Sequence, residues 1–341
     1  MESSRKKQWW WQLPLLVLLI VGTVIIIRTQ RNTPYQHDEG FIFGTLYHIT
    51  YQYDSDLDSA IVAELKKVDA SLSMFNKKSI IARINNGEDV ATDDMFENVF
   101  ALAEKVSADT EGAFDITVAP LVNAWGFGFK SGAMPSETTV DSLRKHVGYR
   151  KVSLRKHHVV KTDKNVTLDC SAIAKGYGCD VVAALLRSKG ISNFMVEIGG
   201  EVVTSGISEK RVPWKIGVTK PTDDPTQQDT EIQTVLNVTD KSRATSGNYR
   251  KFYYKNGRKY AHTIDPKTGR PVQHSLLSST VFAPTCAMAD AYATAFMVMG
   301  VEKAQKVLAR HDDLQAYFIY TDHKGAMKVW FSPELRSKII E

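Results

Sequence analysis

Asp169-Cys-Ser-Ala-Ile-Ala-Lys175-Gly-Tyr177 decides the fold class. It follows a strand-like run, Asn165 to Leu168, and opens a helix-like one, Tyr177 to Leu186. A helix start presents backbone N–H groups that lack helical partners, together with the positive end of the helix dipole. Ser171 is placed to cap that start, and Lys175 adds a full charge where the phosphates of a ligand would lie. The stretch reads as an anion site on a strand-to-helix junction. An ordinary capped helix with a solvated lysine would use the same residues, so this segment alone leaves both readings open.

A second segment favours the first reading. In Cys286-Ala-Met-Ala-Asp290-Ala-Tyr-Ala-Thr294-Ala-Phe-Met-Val-Met-Gly300 the apolar spacing is helical. Asp290 and Thr294 stand four apart and project from one face. A carboxylate beside a hydroxyl in an Ala-rich helix suits a hard, oxygen-seeking cation such as Mg²⁺.

Outward from these segments, 341 residues are enough for one large domain or two lobes. The formal charge of +5 is spread among acids, without the basic block of a nucleic-acid binder. Residues 5 to 28 differ in kind: Arg5-Lys-Lys7, Trp9-Trp-Trp11, then an apolar run from Leu13 to Ile27 closed by Arg28. Spanning a bilayer takes roughly 17 to 25 such residues. Basic residues before the run and tryptophans at its edge predict an uncleaved signal anchor with a cytoplasmic N-terminus. The body is then expected outside the cytoplasm. The division expected is 1–28 anchor, 29–40 polar linker and 41–341 a single functional domain. Cys170, Cys179 and Cys286 make no disulfide framework. Convergence of the two segments would bring Cys170 towards Cys286, either as a pair or as buried, inert thiols.

Along the body, Ile61, Leu65, Val68 and Leu72 mark one helix, and Phe96, Val99, Phe100, Ala103 and Val106 a second. The first strand is expected at Phe41 to Tyr53, a hairpin at Lys151 to Leu168, and a strand from Asn193 to Val203 with a turn at Gly199-Gly200. Lys215 to Val218 reads as a strand, Lys220 to Thr230 as an exposed loop. A helix at Val301 to Arg310 and a hairpin from Leu314 to Phe331 complete the chain. No βαβ rhythm is present, so the class is α+β. Trp125-Gly-Phe127-Gly-Phe129 reads either as core filler or as a platform for a flat ring. Ala244-Thr-Ser-Gly247-Asn-Tyr249 reads as a phosphate contact or a plain loop.

His262, in Ala261-His-Thr-Ile-Asp265-Pro-Lys-Thr-Gly269, precedes a turn. It is either a structural histidine or a general base at neutral pH. A rival set exists: Ser142-Leu-Arg-Lys145 and Ser153-Leu-Arg-Lys156 match S-x-x-K, Ser246-Gly-Asn248 is like S-x-N, and Lys267-Thr-Gly269 matches K-T-G, as in penicillin-binding serine acyltransferases. Their contexts, a strand-like hairpin, a short charged segment and a proline-bracketed turn, are wrong for that chemistry.

Taken in order, the chain after its first segment resembles the ApbE family of FAD:protein FMN transferases. The blocks that carry the resemblance are Phe43-Gly-Thr-Leu-Tyr47, Ser71-Leu-Ser-Met-Phe75 with Ser79 and Asn85, and Gly112-Ala-Phe-Asp115 with Pro120-Leu and Trp125-Gly-Phe127. They continue with Asp169 to Tyr177, Val196-Glu-Ile-Gly-Gly200, His262-Thr-Ile-Asp-Pro266, and Ala289-Asp-Ala291 with Thr294. The resemblance implies a two-lobed α+β fold with the site between lobes, and Mg²⁺-dependent transfer of FMN from FAD to a threonine or serine of a partner flavoprotein, with release of AMP. It implies metal ligation by the Ala172 carbonyl, Asp290 and Thr294. FAD contacts are implied at Phe43, Phe75, Ala113, Phe114, Asp115, Asp169, Lys175 and Ile264, with His262 as base. The implied acceptor carries Asp-x-x-Ser/Thr-Gly-Ala-Ser/Thr, a motif this chain lacks. Two departures stand out: no lipid-bearing cysteine follows the N-terminal segment, and Phe43 and Cys170-Ser171 replace the family's frequent Met and Gly or Ser-Gly. A FAD pyrophosphatase or a flavin-binding module would need the same site.

Overall fold

The computed structural model describes residues 3–128, 134–222, 231–249, 252–255 and 257–340. Its centre is an eight-stranded sheet whose strands lie side by side in chain order: β1 (Tyr35–Ile42), β2 (Thr45–Gln52), β3 (Phe194–Ile198), β4 (Glu201–Ser205), β5 (Ser242–Gly247), β6 (Leu276–Ala283), β7 (Gln315–Thr321) and β8 (Met327–Phe331). Every neighbouring pair is antiparallel. The expected α+β class is what is observed.

Both faces of the sheet are covered, and side-chain alternation decides which residue goes where. Val281 and Phe318 point into the large helical core, whereas their neighbours Phe282 and Tyr317 join Val202, Ile216 and Leu236 on the opposite face. There a small sheet of Lys215–Thr219, Ile232–Asn237 and Ile339–Ile340 closes the layer. The helical face carries α2 (Asp58–Leu72), α3 (Asp94–Asp109), α4 (Ala174–Ser188), α5 (Cys286–Met299) and α6 (Val301–Leu308). The inward residues expected from periodicity in α2 and α3 are all buried, because each of these helices has one wet face that leaves a clear stripe. A separate apolar cluster, Leu121, Trp125, Val140, Val147 and Ile264, forms a smaller unit.

Several expectations are corrected. The run from Phe41 to Tyr53 is the end of one strand and the whole of the next, folded at a two-residue turn, Phe43-Gly44, with both φ positive (52° and 75°). Within residues 29–40, helix α1 (Ser3–Asn32) reaches Asn32 and β1 begins at Tyr35. The hairpin expected at 151–168 ends at Lys161. Asn165 to Leu168 has no strand neighbour, since the Asn85 side chain accepts the Leu168 N–H at 2.7 Å and donates to its carbonyl at 2.8 Å. Ala244 to Gly247 lies in β5 of the main sheet, not in a loop. Phe129 and most of the loop expected at 220–230 lie outside the described residues. Among the described residues no helix is long and apolar enough to cross a membrane. On α1, where side chains are described for residues 12–28, the apolar run from Leu13 to Ile27 is exposed.

Candidate active site

The two helices singled out by the sequence pack side by side, and their contact is unusually close. A Cβ on Gly176 would stand 2.3 Å from the Cys286 carbonyl oxygen and 2.8 Å from the Ala287 nitrogen, so only glycine fits there. Helix α4 starts at Ala174 without a side-chain cap. The Gly176 N–H, which in a continuing helix would reach the Ala172 carbonyl, donates to Asp290 Oδ2 at 3.1 Å. Ser171 is no cap: the Asp169 carboxylate accepts the Ser171 N–H at 2.7 Å, and the tight turn this makes holds the chain off the helix axis.

Lys175 lies over this junction. Its Nζ is 3.0 Å from Glu201 Oε1 and 3.7 Å from Asp290 Oδ2. Burial pulls the Lys175 pKa down, but the charges of Asp290 and Glu201 more than offset it, and the ammonium is held above the ordinary lysine range. Burial pushes the Asp290 carboxyl up, against Lys175 and the Gly176 amide, which pull it down. One turn along α5, the Thr294 hydroxyl is 3.1 Å from the Ser246 hydroxyl on β5. Phe43 closes one side. Its ring lies against Gly178, where a Cβ would be 2.7 Å from Cε2. A bulky residue at φ 52° is strained, and its packing onto α4 is what holds it.

The other expected residues form a second group. Asp115 is buried, accepting from the Thr117 N–H and O–H at 2.8 and 2.6 Å and from the Tyr149 N–H at 2.7 Å. Burial raises its pKa, and these bonds partly counter it. Ala113 and Phe114 are buried beside it. A cavity of about 400 Å³ opens between this loop and the Pro266-Lys267 turn, lined by Glu111, Asp115, Arg144, Lys145, Tyr149 and Lys267 among others. His262 meets the edge of Phe127 at 6.4 Å. The aromatic loop is core filler within a column: Trp125 stacks on Tyr260, Tyr260 on Tyr253, and Tyr253 on Phe127. Ile264 is buried in the same small cluster. Thr263, next to His262, donates to Asn248 at 2.7 Å, so β5 and the residues that follow it run from Ser246 beside Thr294 to the neighbourhood of His262. Phe75 is 65% exposed on the turn after α2.

Two carboxylates, Glu201 buried and Asp180 half-buried, were not anticipated. Glu201 holds Lys175, and Asp180 accepts the Cys286 and Ala287 N–H groups at 2.8 Å each, closing the start of α5. The only sequence signal for Glu201 is its place directly after Gly199-Gly200; Asp180 has none. The cysteines also pair differently. Cys170 belongs to the large core, while Cys286 meets Cys179, thiol against thiol, and all three are free and buried.

Among the described residues no group of three His, Cys, Asp or Glu side chains is arranged to hold a metal. The groups brought together here are of another composition: the Asp290 carboxylate, the Thr294 hydroxyl one turn along α5, and the start of α4, whose Gly176 amide bonds Asp290. Hard oxygens of this kind suit Mg²⁺, so the residues fit the ion. The sheet and its paired helices set a buried carboxylate, Asp290, against Lys175 and the start of α4. The ApbE family model matches residues 43–318. FAD:protein FMN transferase from Haemophilus influenzae is 36% identical over 87% of this chain and 89% of its own length; that from Escherichia coli is 32% identical over 89% and 88%. The flavin transferase ApbE of Vibrio cholerae superposes with a TM-score of 0.81 at 33% identity, covering 89% of this chain and 99% of its own. The chain belongs to the ApbE family.

Proposed function

We propose that this protein is a Mg²⁺-dependent FAD:protein FMN transferase, moving FMN from FAD to a threonine or serine hydroxyl of a partner flavoprotein and releasing AMP. The observation that carries it is the diversion of the Gly176 amide to Asp290, which ties the start of α4, with Ala172 just before it, to the helix that bears Asp290 and Thr294. Ala172, Asp290 and Thr294 hold Mg²⁺, which when bound offsets the charge of the pyrophosphate. Lys175 adds a second positive charge there, and positioning with electrostatics does most of the work in phosphoryl transfer. His262 takes the proton from the attacking acceptor hydroxyl. FAD lies between the sheet-and-helix lobe, contacting Phe43, Phe75, Asp169 and Lys175, and the smaller lobe, contacting Ala113, Phe114, Asp115 and Ile264. The acceptor presents its hydroxyl within Asp-x-x-Ser/Thr-Gly-Ala-Ser/Thr. The N-terminal helix anchors the chain in the bacterial inner membrane, with the catalytic body on the periplasmic side; the exposed apolar side chains of Leu13 to Ile27 support this.

The test is the full chain in detergent with FAD, Mg²⁺ and an acceptor bearing that motif, followed by acceptor mass and AMP. An FMN-sized gain that disappears with EDTA and falls more than about a hundredfold in Asp290→Ala is the expected result. AMP and FMN without acceptor gain would make the protein a pyrophosphatase, and FAD bound without either product a flavin-binding module. Full rate in His262→Ala would remove the base assignment.

A further inference from the structure

Lys175 has two seats. Its Nζ stands 3.0 Å from Glu201 and 3.7 Å from Asp290, and both carboxylate side chains are 3% exposed whereas the lysine side chain is 28% exposed. Glu201 is the first residue of β4, buried, with its backbone carbonyl accepting from the Cys179 thiol at 3.3 Å. Asp290 is pinned on α5 and already accepts the Gly176 amide on the oxygen nearest Lys175. Of the three side chains the lysine has the longest and most flexible stem.

A divalent cation and an ammonium cannot both sit against one buried carboxylate without strong repulsion, since like charges about 4 Å apart repel strongly where the effective dielectric is low. We infer that Lys175 is the resident cation of the metal site, neutralising Asp290 until a divalent ion arrives, and that Glu201 is the positioning residue to which the ammonium withdraws. This rests on the reading that Asp290 and Thr294 hold Mg²⁺. Glu201 then does two things. It makes Asp290 cheap to vacate, and it keeps the ammonium beside the site, poised for the pyrophosphate. A purely structural salt bridge predicts neither, because it would affect folding and not the exchange of one cation for another.

The experiment is a Mn²⁺ titration of the full chain without FAD, followed by electron paramagnetic resonance of free Mn²⁺, with thermal melting as the folding check. Glu201→Gln leaves Lys175 wholly on Asp290 and is expected to weaken Mn²⁺ binding at least about tenfold. Lys175→Met removes the competitor and is expected to tighten it, and the double variant to bind at least as well as wild type. Glu201→Asp, which keeps the charge, is expected to retain most of the affinity. Unchanged affinity in Glu201→Gln, or a double variant as weak as Glu201→Gln alone, would overturn the inference. If Glu201→Gln does not fold, Lys175→Met decides: tighter binding supports the exchange and weaker binding refutes it. Wild type that binds no Mn²⁺ would end the metal reading and this inference together, an outcome distinct from variants that merely fail to differ.

Discussion

The starts of α4 and α5 meet side by side and are finished in opposite ways. Helix α5 is closed: Thr285 accepts the Met288 N–H at 3.3 Å, and Asp180 takes the Cys286 and Ala287 N–H groups. Helix α4 has no side-chain cap, and one of its first amides is turned sideways to Asp290. A helix start needs partners for its free N–H groups. Where protein groups supply all of them the start is structural, and where some are left over it is a seat for an anion. The contrast also places Asp180, which closes the helix carrying Asp290 from α4, whose own first amides go to the Cys170 carbonyl and to Asp290.

The sharpest way to break this arrangement is Gly176→Ala. The added methyl would meet backbone of α5, which cannot swing aside, so the helices must separate; a loss of about 3 kcal/mol is expected by urea unfolding, with transfer falling alongside. Unchanged stability would mean that the close approach is not needed. Asp180→Ala comes next. Two charge-assisted hydrogen bonds disappear at a closed start, and the expected loss is about 2 kcal/mol, with FAD affinity little changed in the fraction that stays folded. An effect on FAD larger than on stability would make the α5 start functional and erase the contrast.

The same residue gives a pH signature. Burial pushes the Asp180 carboxyl up to about 6, against the Ala287 and Cys286 amides, which pull it down. The folded protein therefore keeps this proton to a higher pH than the unfolded chain, whose carboxylate titrates near 4. Between pH of about 4 and about 6 the folded state binds more protons, so this contribution to stability falls as pH rises through that window and is level above it. Asp180→Asn should flatten that part of the curve relative to wild type, and identical slopes would contradict the assignment. The smallest expected effect is Thr285→Ala, about 1 kcal/mol from one lost cap, with no change in the Mg²⁺ dependence of transfer.

How much of this the sequence revealed varies with the range of the interaction. Helices α2 and α3 were legible with their inward residues, because a helix with one wet face writes its period into consecutive positions. The hairpin of β7 and β8 was legible for the same local reason. Asp290, Thr294 and Lys175 were legible as chemistry, since charged or hydroxyl side chains in apolar or glycine-rich runs are conspicuous. The strand expected at Asn165 to Leu168 failed because Asn85, 83 residues away, serves as its hydrogen-bonding edge. Ser171 failed as a cap because the helix starts three residues later, at Ala174, and both the amide and the hydroxyl of Ser171 face Asp169.

The sequence by itself determined which side chains are available, their local periodicity and the α+β class, all of which depend on residues within a few positions of one another. Only the tertiary structure decided that Gly176 and Asp290, 114 residues apart, share a hydrogen bond, that Glu201 rather than solvent receives Lys175, and that Cys286 meets Cys179 rather than Cys170. Partners for buried charges and amides are set by which elements are pressed together, and that follows from packing the whole sheet and its helices, which no short stretch of chain encodes.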